Sequence, residues 1–73
     1  MAVLCRQTAE GEPEQTYTIE PHSPEQTDDE LLHLKAQGAE DKGWAVSWSS
    51  AVSFTATKVR WDDVLCTRQF WVE

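Results

Sequence analysis

The sequence predicts an α+β fold, one antiparallel sheet in the order β-β-α-β-β-β packed on one short helix. Three observations carry this. Three segments alternate apolar and polar residues with the period of two that a half-buried strand requires, and two further apolar stretches, near the start and the end of the sequence, also read as strands. One segment, between the second and third of these five in chain order, carries helix-start signals with a leucine-rich run behind them. The chain has 73 residues and 8.3 kDa, and at that size folding buries only about 60% of the unfolded surface. Sheet and helix must therefore share one core, and residues 1–73 are read as a single compact domain.

The elements follow in order. Residues 2–7 read as a first strand, apolar at Val3 and Leu4. Residues 9–14 form a polar turn with Gly11 and Pro13 as breakers. Thr16 to Glu20 alternates, with Tyr17 and Ile19 on one face, and completes a hairpin tipped by Glu10, Glu12 and Glu14. Two capping patterns compete to start the helix, Ser23-Pro24-Glu25-Gln26 and Thr27-Asp28-Asp29-Glu30. Leu31, Leu32 and Leu34 supply its apolar stripe with Ala36 below, and Gly38 is placed to end it after Gln37.

Trp44, Val46 and Trp48 then share one strand face, and Val52, Phe54 and Ala56 share another. Asp62-Asp63 reads as the turn of the last hairpin. The final strand, from Val64 to Val72, places Cys66, Phe70 and Val72 on one side and Leu65 and Trp71 on the other. Apolar residues on both faces predict a central strand, or one whose outer face meets a partner.

Charge is the least average feature. Thirteen acids and six bases give a net charge of −7 and a pI near 4.6. Residues 1–41 hold ten acids against Arg6 and Lys35, a net −8, whereas residues 42–73 hold four bases against three acids, a net +1. Duplex DNA binding requires Lys/Arg to neutralise phosphates and release counterions, so it is disfavoured, as is an anionic membrane surface. No apolar run is long enough for a membrane-spanning helix. The first residues lack the basic and apolar regions of a signal peptide, which predicts a cytoplasmic protein. A basic protein surface is the expected partner.

Candidate chemistry is sparse. His22 and His33 are eleven residues apart and match no metal-ligand spacing. Nothing around Cys5 or Cys66 resembles a nucleophile motif, and the three glycines form no phosphate loop. No catalytic activity, metal or cofactor is expected. Cys5 and Cys66 read as reduced, buried small hydrophobes, with a bridge as the alternative if their strands are neighbours. Four tryptophans are many for this length. Trp44 and Trp48 read as core; Trp71, out of phase with Phe70 and Val72, is the candidate for exposure and for a binding hot spot.

The chain's outline also resembles several small phage-encoded anti-CRISPR proteins. The matching stretches are Thr16–Glu20 leading into the helix, Lys42-Gly43-Trp44-Ala45-Val46, and Thr67-Arg68-Gln69-Phe70-Trp71-Val72. The resemblance implies a stoichiometric inhibitor, without catalytic residues, that docks on a basic nucleic-acid channel of a bacterial defence complex in the host cytoplasm. A lysine-based DNA contact is not carried over, because this chain has only Lys35, Lys42 and Lys58. On this reading the contact residues are Glu10, Glu12, Glu14, Asp28, Asp29 and Glu30. The alternative is an adaptor module that binds through the C-terminal aromatic strand face, including Trp71, or pairs that strand with a second copy as a homodimer.

Overall fold

The computed structural model describes residues 2–61 and 63–73. Five strands and one helix follow the predicted order: β1 (Val3–Ala9), β2 (Gln15–Ile19), α1 (Asp28–Asp41), β3 (Ala45–Ser50), β4 (Ser53–Arg60) and β5 (Asp63–Val72). All pairings are antiparallel, and the strands lie in the order β2-β1-β5-β4-β3. The last strand is thus central, which accounts for its two apolar faces. The first and last strands zip together over seven pairs, from Val3 opposite Val72 to Ala9 opposite Cys66. Beyond them, Ala2 and Glu73 exchange two backbone hydrogen bonds of 2.9 and 2.8 Å.

Register fixes which side chains share a face. Tyr17 lies opposite Cys5, Cys5 opposite Phe70, Phe70 opposite Phe54 and Phe54 opposite Trp48. This row crosses all five strands under the helix. Its rings touch: Phe54 stacks on Phe70 at 4.6 Å, Trp48 tilts against Phe54 at 4.9 Å, and His33 of α1 stacks on Trp48 at 4.9 Å. Val3, Cys5, Leu31, Leu32, Ala36, Phe54, Ala56 and Phe70 form the buried core. The other sheet face, with Leu4, Arg6, Trp71, Thr55 and Thr57, has no helix over it.

The helix starts at the second of the two capping patterns. Thr27 is the N-cap, and its Oγ1 accepts from the Glu30 N–H at 3.1 Å. Asp28, Asp29 and Glu30 occupy the first turn, where carboxylates oppose the helix dipole. The expected stop at Gly38 is corrected: α1 continues through Gly38 to Asp41. It ends in a Schellman motif, with the Trp44 N–H donating to the Ala39 carbonyl and the Gly43 N–H to the Glu40 carbonyl, each at 2.9 Å. That motif needs a left-handed residue, and Gly43 supplies it at φ 85°. Leu34, expected in the apolar stripe, is 47% exposed and lines an open cleft between the helix and the sheet instead of joining the buried core.

The last hairpin also turns one residue earlier than expected. Arg60 pairs with Asp63, so Asp63 belongs to β5 and Trp61 takes part in the turn; Asp62, the other residue of the expected turn, lies outside the described residues. Trp61 adopts φ 55°, the left-handed entry that a two-residue hairpin turn requires. The register shifts between Lys58 and Val59, leaving Leu65 as an extra residue on β5, a bulge that twists the tip.

Gly38 has no structural requirement for glycine, since a Cβ there meets nothing within 4 Å. Gly38→Ala is expected to raise stability by about 0.5–1 kcal/mol, the helix-interior cost of glycine, read as a higher urea midpoint at unchanged slope.

Candidate functional site

The acidic residues fall into two groups that the fold does not bring together. Glu10, Glu12 and Glu14 occupy the β1–β2 loop, which closes through a Glu12 N–H bond to the Ala9 carbonyl at 3.1 Å. Gly11 takes φ 79° within it. All three carboxylates are exposed. Ala9 pairs with Cys66, so this loop stands at the sheet end that carries the β4–β5 tip. Asp28, Asp29 and Glu30 begin α1 at the other end, near the row of Trp48. His33 Nδ1 donates to the Asp29 carbonyl at 2.9 Å and lies 3.7 Å from its carboxylate. Asp28 is half-buried.

Glu14 is not a lone acid. It lies 3.6 Å from the Arg6 guanidinium, which stands 5.5 Å above the Trp71 ring. Glu14 and Trp71, both expected to contact a partner, thus meet through Arg6 on the open face of the sheet. The exposure order of the tryptophans is corrected. Trp71 is half-buried, Trp48 is 38% exposed because it sits on edge strand β3, and Trp61 is 86% exposed. With Val59, Val64 and Leu65, Trp61 makes the β4–β5 tip an apolar protrusion. The sequence does not point to Trp61, because Asp62-Asp63 is the stronger turn signal and leaves Trp61 on the strand side of the turn.

A second feature missed by sequence reading is a cleft of about 380 Å³ between the second half of α1 and the inner sheet face. Ala56 and Phe70 line it from the sheet, with Trp44 beside them, and Lys35, Lys42, Arg68 and His22 surround it. Arg68 stands 4.8 Å over the Trp44 ring, and its Nε donates to Gln7 Oε1 at 3.0 Å. Two signals were readable. Lys35, Gly38 and Lys42 recur on one helical side, and Arg68 is in phase with Cys66 and Phe70.

Cys5 and Cys66 are both free thiols. They share the inner face of neighbouring strands but are four register positions apart, about 13 Å along a strand. That is too far for a disulfide. Burial lifts the Cys5 thiol above its ordinary value of 9.0, with the Tyr17 hydroxyl pulling the other way. Tyr17 is raised above 10.0, first by its bond to Cys5 and then by partial burial. Among the described residues, no three His, Cys, Asp or Glu side chains form a metal-holding group, and no helix is long and apolar enough to cross a membrane.

No family model, curated protein or solved structure matches the chain.

The two raised groups set an alkaline limit. Their protonated forms are favoured by the fold, so their stabilisation is complete below the ordinary values and is lost as pH rises past 9.0 and through the folded values. Urea unfolding at pH 7, 9 and 10 is expected to show a falling midpoint. Cys5→Ala, though less stable at pH 7, is expected to show a flatter decline. An identical decline in Cys5→Ala and in Tyr17→Phe would place the alkaline loss elsewhere.

Proposed function

We propose that the chain is a non-catalytic binding protein that docks on a basic, nucleic-acid-binding surface of a partner and blocks nucleic acid from it. The carrying observation is the pairing of Ala9 with Cys66, which sets the acidic Glu10–Glu14 loop beside the exposed tip of Val59, Trp61, Val64 and Leu65. Carboxylates steer the approach to a Lys/Arg-lined groove. An exposed tryptophan among aliphatic neighbours supplies the kind of anchor that dominates interface energies. In its anti-CRISPR form, which the element order resembles, the partner is a bacterial defence complex.

Magnitude limits how literally the acids stand for a nucleic acid. A net −7 along a 40 Å long axis is one charge per about 6 Å, against one per roughly 1.7 Å in duplex DNA. The charge density therefore favours occupying part of a basic groove over copying a duplex. Asp28, Asp29 and Glu30 lie at the far end, so on this reading they serve the helix dipole more than the contact.

The alternative, an adaptor module, draws support from the uncovered sheet face that carries Trp71; pairing of β5 with a second copy is ruled out because β1 and β4 occupy both its edges, and self-pairing would instead use the free edges of β2 or β3. Salt separates the two readings.

The test is capture of partners from a bacterial lysate, followed by affinity measurement on the purified partner. The expected partner is a nucleic-acid-binding protein from which added DNA or RNA displaces the chain. Its affinity is expected to fall about tenfold or more as salt rises from low to physiological levels. Glu10→Lys with Glu12→Lys is expected to weaken binding strongly, and Asp29→Lys with Glu30→Lys to weaken it less. A salt-insensitive complex that ignores nucleic acid, or a homodimer alone, would move the assignment to the sheet face.

Trp61 offers a separate check. Trp61→Gly relieves a left-handed conformation that costs a bulky residue about 1–2 kcal/mol, so the variant is expected to be at least as stable as the parent in urea. It is nevertheless expected to bind the partner at least tenfold more weakly.

A further inference from the structure

The cleft beside α1 has a charge opposite to that of the molecule. Three of the chain's six Lys/Arg residues, Lys35, Lys42 and Arg68, line it together with His22, and among the described residues no Asp or Glu does. Among the described residues, no carboxylate lies within 4 Å of any of these three cations. In a protein with thirteen acids, unpaired bases gathered at one hollow call for a physical account.

Helix-end compensation does not supply it. The carbonyls of Gly38, Ala39 and Glu40 at the end of α1 already accept from the backbone N–H groups of Lys42, Gly43 and Trp44. Glu40 and Asp41 lie off the stripe of Lys35, Gly38, Ala39 and Lys42, and Gln37 holds Asp41 at 3.1 Å. Arg68 is the most demanding of the three, because a half-buried guanidinium without a counter-charge is costly. Its Nε is bonded to Gln7 Oε1 and its plane stands over Trp44. The Nη groups provide the fork that grips a carboxylate or phosphate by two bonds.

The rest of the cleft is apolar: Phe70 and Ala56 below, Leu34 and Ala39 at the side. At about 380 Å³ it falls within the range of small-ligand sites. The missing side chain at Gly38, which also lines it, keeps that space open.

We infer that this cleft binds a small organic anion, a carboxylate or phosphate on an apolar ring-sized body, with Arg68, Lys35 and Lys42 on the charged group and Phe70, Ala56 and Leu34 against the body. The inference is independent of the docking function, which uses acids outside this cleft, and its failure would leave that function untouched.

The test titrates the full chain with phenylacetate, phenyl phosphate and the neutral benzyl alcohol, followed by amide and indole chemical shifts. Saturating shifts are expected for at least one anion at residues 35–44, Ala56, Arg68 and the Trp44 indole, with a Kd on the order of 1–10 mM for ligands of about ten heavy atoms. Saturation by phenylacetate alone assigns a carboxylate site, by phenyl phosphate alone a phosphate site, and by both a general anion site. Benzyl alcohol is expected to bind at least tenfold more weakly. Lys35→Met with Lys42→Met keeps apolar volume without charge and is expected to weaken the anion at least tenfold while the spectrum stays folded. Gly38→Leu is expected to abolish binding by filling the cleft. Equal binding of anion and alcohol, no loss in the double variant, or no saturation with either anion by ~50 mM would overturn the inference.

Discussion

One cross-strand row holds the molecule together: Tyr17, Cys5, Phe70, Phe54 and Trp48, one residue from each strand, closed by His33 of the helix. Every strand contributes to it, so the strand order and the helix position are satisfied together or not at all. Phe54 is fully buried within it, with ring neighbours on both sides. Truncating such a phenylalanine costs about 3–5 kcal/mol, against a total of about 5–15 kcal/mol for a whole domain. A chain of this length has no second core to absorb that loss.

Aromatic side chains on both faces of the sheet sort the charges. Ring faces carry negative quadrupole density, which attracts cations. Arg68 over Trp44 and Arg6 over Trp71 follow that rule. Arg and Lys also bring long apolar stems that pack while the charge reaches outward. Asp and Glu have neither property, and the described ones lie away from these rings, in loops, at both ends of the helix and at the end of β5. The protein thereby combines an acidic exterior with a basic cleft, although its net charge alone would suggest a uniformly negative surface.

How much of this was legible in the sequence depended on whether the deciding contact was local. Strand alternation and the Thr27 cap are local, and both gave the right elements. The helix stop was misassigned because Gly38 and Gly43 carry the same signal, and only the hydrogen bonds from Gly43 and Trp44 choose between them. The final turn was displaced because Asp62-Asp63 is the better turn sequence, whereas strand register placed Trp61 there. Alternation assigned Trp48 to the inner face correctly. It did not reveal that its strand is an edge, where one flank stays open. Of the candidate site, the acidic residues were visible as charge. The pairing of their loop with the hairpin tip was not, because Ala9 and Cys66 are distant in sequence.

That pairing has a consequence for the order in which the structure can form. β3, β4 and β5 are joined by short turns and assemble from neighbouring segments. β1 instead waits for β5, more than fifty residues further on, before its second edge is satisfied. Closing so long a loop is slow relative to hairpin formation. During synthesis the β1–β2 hairpin therefore emerges before β5 and remains half-paired until that strand is made. Its exposed edge is a template for pairing with other chains throughout that interval. The carboxylates of Glu10, Glu12 and Glu14 stand beside that edge, so mutual repulsion between nascent hairpins protects the protein before it has any function to perform.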